Sequence, residues 1–425
     1  MKIFGKNISA YLRFGAHKHP RLGAIDLLKF IGPGFLITVG FIDPGNWAAN
    51  IAAGSLYGYS LLWMITLSTV MLIILQHNAA HLGIVSGLCL AEAASSHFHK
   101  WISKFFLTTA LLAVIATALA EILGAAIGLQ MLFKLPLSLG AILTTLVIGS
   151  FTIFNSYKKV EKIIIGFVSL IGLSFLVELT IVNFSWTESL LGWSIPSIPS
   201  GSIPIIMSVL GAIVMPHNIF LHSEVIQSRQ WNLENENIIK RQLRYEFLDT
   251  LVAMLIGFAI NSAMLIVAAA VFFKKGIVVT ELSQAEATLR PLVGNTSAIV
   301  FAIALILSGF ASAITAAMAG ASIFAGMFKE PLDLQDNHSR AGVLLTLVCG
   351  LLIIFLLKNP FQGLIWGQVV LSMQLPFTII GLIALTSSKK IMREHANTQG
   401  EFLTLLLIAT IVITLNIMLL WSLIN

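Results

Sequence analysis

The sequence predicts an all-α integral membrane protein with eleven transmembrane helices, ten of which form two five-helix repeats of opposite orientation. Three observations lead to this fold class. The 425 residues are 57% hydrophobic and only 10% charged, whereas an ordinary soluble domain has roughly 25% charged residues. Eleven apolar runs have the length of a membrane span, and the first and sixth of these runs are interrupted by the same X-Pro-X-Asn pattern.

The apolar runs define the predicted spans, because about 20 apolar residues in a helix cross a bilayer. Residues 1–30 precede them as a basic tail that lacks the uninterrupted apolar core of a cleavable signal peptide. The connection 184–202 is expected to be an interfacial loop. Spans one to eleven are expected near 31–53, 58–77, 104–132, 138–156, 161–183, 203–226, 249–272, 296–327, 341–358, 362–386 and 402–423.

The basic residues predict the orientation in the membrane. With the amino terminus in the cytoplasm, 20 of the 25 Lys and Arg residues fall on inner segments, in agreement with the positive-inside rule. Eleven spans then leave the carboxyl terminus outside. The net charge of +6 is therefore attributed to cytoplasmic loops beside a lipid bilayer, and no nucleic-acid partner is expected. A monomer is compatible with the sequence.

The interrupted spans predict an inverted repeat. Asp-Pro-Gly-Asn at 43–46 interrupts span one, and Met-Pro-His-Asn at 215–218 interrupts span six. Because the repeat unit has an odd number of spans, the unit 203–386 is expected upside down relative to the unit 31–183, and 402–423 is an extra helix. Inverted repeats with one broken helix in each half are typical of transporters that bind substrate at the bilayer midplane.

The two breaks also predict a metal site. Pro44 and Pro216 have no N–H group to donate to the carbonyl four residues earlier, and a carbonyl without a partner in hydrocarbon is costly. Gly45 loosens the first break further. The expected ligands are the Asp43 carboxylate, the Asn46 amide oxygen, the Met215 thioether and the carbonyls of Gly40 and Ala212, with Gln368 as either a further oxygen ligand or a polar contact between helices.

The ligand types indicate which ion is transported. A carboxylate with neutral oxygens suits Mg²⁺ or Ca²⁺, but the thioether of Met215 favours softer first-row ions. We therefore expect Mn²⁺ or Fe²⁺, with discrimination against Ca²⁺. The metal is expected as the transported substrate, and no resident cofactor is expected.

Several buried titratable residues are interpreted separately. His217 and His222 lie about 500° apart around a helix, so they do not share one face as a zinc pair would. With Glu121 they are assigned to a proton route, the alternative being hydrogen-bonded structural groups. His77 and His81 are interpreted as solvated residues at the inner end of span two. The inner charges could form a gate of ion pairs or be ordinary helix-end charges; they are Arg340, Glu224, Glu246 and Asp249.

The two break motifs together resemble the signature of the Nramp family of divalent metal transporters, which have a leucine-transporter-like fold. The likeness continues in Leu-Ala-Glu at 119–121, Leu-His-Ser at 221–223, and the segments 368–372 and 374–377. It covers the chain from about residue 30 onward. The fold that the resemblance implies is a 5+5 inverted repeat with broken helices one and six.

The resemblance also implies roles for individual residues. Metal ligation is implied for Asp43, Asn46, Met215 and the Ala212 carbonyl, with Gln368 joining in some conformations. Import coupled to protons is implied, with His217 and Glu121 near the proton route, and bacterial members with eleven helices lie in the inner membrane. Ala118 departs from the family pattern, which has aspartate there, so an expected proton acceptor is missing.

The sequence therefore predicts a secondary transporter that imports Mn²⁺ or Fe²⁺ by alternating access, and not an enzyme. One alternative is a sodium-coupled carrier of an organic substrate on the same inverted-repeat fold. A second is a membrane-embedded metalloenzyme that uses Asp43, His217 and His222 as ligands. The divergence of the two histidines and the lack of a His-Glu-x-x-His motif count against it.

Overall fold

A computed structural model describes residues 43–154, 177, 179–226, 236–288 and 297–424, and these ranges contain helices and no strands. Within these ranges, short 3₁₀ segments lie at Phe273–Lys275, Leu282–Thr288 and Arg393–His395. The helices in chain order are α1 (Pro44–Tyr57), α2 (Leu62–Ser86), α3 (Leu90–His97), α4 (Lys100–Phe133), α5 (Leu137–Phe154), α6 (Trp186–Ser194), α7 (Ile203–Ile213), α8 (Pro216–Val225), α9 (Glu236–Val271), α10 (Ser297–Met327), α11 (Asn337–Ile354), α12 (Pro360–Thr386), α13 (Lys389–Met392) and α14 (Gln399–Ile424).

Nine helical segments of the described part are long and apolar enough to cross a membrane, with α7 and α8 counted together as Ile203–Val225. They correspond in order to predicted spans two to four and six to eleven. Helix α1 is the second half of span one. The first half of that span, which includes Gly40, lies outside the described residues, as do the tail 1–30 and most of span five.

Several helices begin or end beyond the predicted spans. Helix α9 starts at Glu236 rather than near 249, because residues 236–248 are polar and an apolar run cannot detect a helix that continues past the hydrocarbon. Helix α2 continues past residue 77 to Ser86 for the same reason. The connection 184–202 contains α6, whose first turn is capped by the Ser185 hydroxyl.

Close helix contacts hold the first break in place. The Asn50 amide of α1 donates to Asn261 Oδ1 of α9 at 2.6 Å. Gly54 of α1 lies directly against the Leu265 carbonyl, where a Cβ would collide with backbone. Helices α4 and α10 also approach closely, because a Cβ on Gly309 would come within 2.6 Å of the Glu121 carbonyl oxygen. These contacts fix the positions of α1 and of Glu121.

Helix α12 contains a proline in its interior, Pro376, but it does not break. The carbonyl that Pro376 leaves without a helical donor is that of Ser372, four residues earlier. Asn416 of α14 donates its side-chain amide to this carbonyl at 3.1 Å. A neighbouring helix thus satisfies the freed carbonyl, as is common for membrane prolines, and α14 is anchored. Only 33% of the apolar stretch of α14 is buried, against 94% for α7 with α8, so α14 is peripheral.

Candidate metal site

The first break places a buried carboxylate at the amino end of α1. Asp43 has an extended backbone and caps the helix: its Oδ1 accepts a hydrogen bond from the Asn46 backbone N–H at 2.5 Å. Pro44 occupies the first turn, where its missing N–H costs nothing. Asp43 is fully buried, and its second oxygen, Oδ2, has no hydrogen-bond partner among the described residues. A buried carboxylate oxygen of this kind is available to a cation or a proton.

The second break lies between α7 and α8. Helix α7 ends at Ile213, Met215 adopts an extended backbone, and α8 begins with Pro216. Pro216 cannot donate to the carbonyl of Ala212, four residues earlier. Met215 is buried, and its sulfur accepts a hydrogen bond from the Asn218 side-chain amide at 3.4 Å. The thioether is thus oriented by the last residue of its own motif.

Gln368 of α12 lies at the first break. Its side-chain nitrogen and oxygen are both buried and have no hydrogen-bond partner among the described residues. Gly45 allows this approach, because a Cβ on Gly45 would overlap the Gln368 amide group. Gly211 of α7 lies against the Gln368 backbone carbonyl in the same way. Gln368 therefore meets α1 with its side chain and α7 with its backbone, and it joins both broken helices.

Glu121 of α4 is a second buried carboxyl group at this site. It is fully buried, and it lies close enough to Asp43 for the two carboxyl groups to interact electrostatically. Two adjacent carboxylates in a low-dielectric environment repel each other, so one of them holds a proton or a cation lies between them. The net charge of this pair therefore depends on whether a proton or a cation is bound.

The two histidines of α8 contact different helices. His217 Nδ1 lies 3.0 Å from the Thr117 hydroxyl of α4. His222 Nδ1 contacts Gln76 Oε1 of α2. His222 Nε2 lies 3.8 Å from Glu246 Oε1 of α9. Both imidazoles are buried, and their different partners agree with the divergence expected from a spacing of five residues.

Ala118 lies where α4 and α11 approach each other closely. It is fully buried on α4, where Gly350 of α11 packs closely against it: a Cβ on Gly350 would lie 3.4 Å from the Ala118 Cβ. The small residues at these two positions let the helices touch. The methyl group that stands in place of a family aspartate is therefore part of a helix contact.

Cys89 belongs to a separate cluster at the start of α3. Its sulfur lies within 4.8 Å of carboxylate oxygens of Glu92 and Glu224. Burial raises the pKa of the Cys89 thiol well above its usual range, and the neighbouring Glu224 and Glu92 raise it further. The thiol is therefore protonated and serves in a capping box with Glu92. Both cysteines are free.

Reasoning from sequence did not identify several residues of the site. Asn218 was within reach, because it occupies the same motif position as Asn46 in the other repeat. Thr117 and Gln76 carried no signal, since a single polar residue in a membrane helix has many possible partners. Glu246 is predicted as a gate or helix-end charge, and the sequence carries no signal for its contact with two histidines. Arg340, another charge of that predicted gate, donates its side-chain Nε–H to the Leu334 backbone carbonyl.

A comparison of the sequence with protein families decides the family. Residues 34–422 match the family described as "Natural resistance-associated macrophage protein-like", or Nramp. The chain belongs to the Nramp family. Among its relatives, the "Divalent metal cation transporter MntH" of Caldanaerobacter subterraneus subsp. tengcongensis is 43% identical over 93% of each chain. The protein of the same name from Bacillus subtilis is 37% identical over 92% of each chain.

Solved structures confirm the fold of this Nramp chain. The Eremococcus coleocola manganese transporter superposes with a TM-score of 0.77 at 27% identity, covering 94% of this chain and 88% of the other. Mhp1, a nucleobase-cation-symport-1 family transporter, superposes with a TM-score of 0.62 at 18% identity over 88% of this chain and 81% of the other; this second likeness concerns the fold alone. The predicted inverted-repeat membrane fold is confirmed.

Proposed function

We propose that this Nramp chain imports Mn²⁺ or Fe²⁺ across the cell membrane by alternating access. One observation of the site carries the proposal: where two broken helices meet, the buried Asp43 carboxylate has an oxygen without a hydrogen-bond partner among the described residues. A divalent cation offsets this charge, and the relatives named divalent metal cation transporters support the same substrate class. The amides of Asn46 and Gln368 and the thioether of Met215 are the further ligands proposed, and with Asp43 they make a donor set suited to first-row ions.

The proposed direction of transport, into the cytoplasm, rests on the orientation of the chain and on the membrane potential. The distribution of Lys and Arg supports a cytoplasmic amino terminus and an outer carboxyl terminus. A divalent ion that enters a negative interior gains about 4.6 kcal/mol per 100 mV, twice the roughly 2.3 kcal/mol for one elementary charge. The membrane potential alone can therefore drive accumulation, and proton coupling is a second, separable part of the proposal.

Uptake into proteoliposomes tests both parts. The purified protein is reconstituted with an internal pH dye, the membrane potential is clamped, and Mn²⁺ is added outside. We expect Mn²⁺ uptake that increases with a more negative interior, accompanied by acidification of the lumen. Mn²⁺ uptake without acidification would reject proton coupling alone. No uptake of Mn²⁺ or Fe²⁺ by folded protein would reject the transport proposal.

The thioether of Met215 is proposed to select against hard ions. In Met215→Ala, Ca²⁺ should compete with Mn²⁺ about tenfold better. This change corresponds to a loss of roughly 1.4 kcal/mol in the preference of the site for Mn²⁺ over Ca²⁺. The measurement is Mn²⁺ uptake against increasing Ca²⁺. The matched control is Met207→Ala, which removes another buried methionine from α7 and should leave competition unchanged. Equal Ca²⁺ inhibition of Met215→Ala and the unmodified protein would contradict the role of the sulfur.

A further inference from the structure

A line of titratable side chains begins at His222 and runs away from the break between α2, α8 and α9. His222 Nε2 lies 3.8 Å from Glu246 Oε1. The other carboxylate oxygen of Glu246, Oε2, lies 2.6 Å from His77 Nδ1. The Thr250 hydroxyl donates to Glu246 Oε1 at 2.7 Å. One carboxylate thus bridges two imidazoles on two other helices.

The line continues from His77 to the protein surface. The rings of His77 and His81, one helical turn apart on α2, stack with centroids 6.1 Å apart. The His81 ring lies 6.0 Å from that of His395, which follows α13. His395 Nε2 lies 3.1 Å from Glu236 Oε2 at the start of α9. Because Glu236 is exposed, the line connects a fully buried histidine with solvent.

The structure corrects the interpretation of His81 as a solvated interface residue and leaves His77 partly exposed to solvent. His81 is buried at 9% exposure, whereas the His77 side chain is 31% exposed. The reason is that α2 and α9 extend beyond the predicted spans, so that the residues 77–81 are covered by Phe247 of α9 and by His395.

The charges around Glu246 favour a mobile proton. Its side chain is 1% exposed, and a buried carboxylate needs a compensating positive charge or a proton. In the described part of the chain, the cationic partners within 4 Å of Glu246 are His77 and His222, with no Lys or Arg. An imidazole changes charge near neutral pH, so this compensating charge can be gained and lost, unlike that of an arginine.

Among the described residues, further titratable or polar side chains lie beside this line. Gln76 Oε1 contacts His222 Nδ1, so Nδ1 carries the hydrogen of that contact and Nε2 is the atom that exchanges a proton with Glu246. Glu401 of α14 acts electrostatically on His77 and His81. At the outer end, hydrogen bonds from His395 and Lys240 hold the pKa of Glu236 below its usual range. Glu236 therefore stays charged at neutral pH and can attract protons outward.

We propose that His222, Glu246 and His77 form a proton pathway that leads from the inner side of the metal site along α2 and α9 to the cytoplasm. His81, His395 and Glu236 are its exit. Each step moves one proton: His222 Nε2–H transfers its proton to Glu246 Oε1, the carboxyl group then rotates so that the protonated oxygen faces His77, and this oxygen protonates His77 Nδ1. A small shift or one water bridges the 3.8 Å gap. This inference rests on the proposed proton coupling, and it assigns a route along helices other than α4, which carries Ala118.

The test replaces the carboxylate that both imidazoles share. Glu246→Gln keeps the size of the side chain but cannot carry a proton between them. In the proteoliposome assay at a clamped potential, we expect the ratio of protons to Mn²⁺ taken up to fall at least about tenfold. Mn²⁺ affinity measured by calorimetry should stay within about twofold of the unmodified protein. His77→Asn should lower the same ratio, and it carries the test if Glu246→Gln does not fold.

The protein offers a matched control. His338 Nδ1, at the start of α11, and Glu330 Oε2, in the connection before it, form another histidine–glutamate pair at 2.7 Å, outside the line. Glu330→Gln removes a carboxylate from a pair of the same geometry. It should leave the ratio of protons to Mn²⁺ unchanged.

Each outcome decides between specific alternatives. Absence of acidification in the unmodified protein would reject proton coupling and this pathway together. Acidification in the unmodified protein with an unchanged ratio in Glu246→Gln and His77→Asn would reject the pathway and leave coupling intact. If both fluxes fell together at a constant ratio, Glu246 would act as a pH-dependent gate, and the pathway would also be rejected.

Discussion

Asp43→Ala is expected to reduce Mn²⁺ uptake into proteoliposomes by roughly 100-fold or more. The carboxylate is fully buried, and one of its oxygens has no hydrogen-bond partner in the described part of the chain. Leaving a buried charge without its partner costs about 3 to 5 kcal/mol, and about 1.4 kcal/mol corresponds to a tenfold change. The same variant should lose measurable Mn²⁺ binding in calorimetry, because the lost charge acts on binding and not on a later step.

The control for Asp43→Ala is Asp333→Ala. Asp333 lies exposed in the connection between α10 and α11, and its removal should leave uptake within about twofold of the unmodified protein. Asp43 also caps α1 through the Asn46 N–H, and loss of a cap costs about 1 kcal/mol. Size-exclusion profiles and melting temperatures therefore accompany the transport assay. Near-normal Mn²⁺ transport by Asp43→Ala would disprove the assignment of the site.

Gly211→Ala should have the second large effect, on the assembly of the site. A Cβ at this position overlaps the Gln368 backbone carbonyl and lies 3.0 Å from the Ser372 backbone nitrogen. Backbone atoms cannot move aside as a side chain can, so α7 and α12 must separate. Overpacking of this kind costs about 1 to 3 kcal/mol or more. We expect a melting temperature several degrees lower and a loss of Mn²⁺ affinity of at least about tenfold.

Gly149→Ala is the matched control for the helix contact. Gly149 is buried on α5, and among the described residues a Cβ there would meet a Leu347 methyl group at 3.6 Å, an ordinary contact. Alanine is also the better helix former by about 1 kcal/mol, so this variant should be as stable as the unmodified protein. If Gly211→Ala matched Gly149→Ala in both melting temperature and Mn²⁺ affinity, close contact of α7 with α12 would not be needed for the site.

The sequence predicts the two breaks well because their cause is local. A proline in an apolar run interrupts the hydrogen bonds of a helix wherever it occurs. The sequence alone therefore places the two breaks at Pro44 and Pro216. The roles of the surrounding ligands stay predictions. The contacts of Gln368 with Gly45 and Gly211 could not be predicted, because they depend on how three helices approach each other.

The extent of polar helix ends is the other feature that sequence could not provide. Apolar runs report the thickness of the hydrocarbon, but α2 and α9 continue beyond it. His77 and Glu246 lie near these ends, where polar residues are expected to be solvated. Only the packing of α2 on α9 places them side by side, and that packing has no local signature. The metal site is thus largely encoded in motifs, and the proposed proton pathway is encoded in tertiary contacts.

The cap of α1 by Asp43 has an electrostatic consequence. The amino end of a helix carries about half a positive charge, and the carboxyl end about half a negative charge. The amino ends of α1 and α8 begin at the breaks, and the partial positive charge of each end opposes a cation. The carboxylate of Asp43 offsets the positive end of α1. An asparagine of the same shape at position 43 would therefore keep the cap of the helix and lose the negative charge that favours a cation.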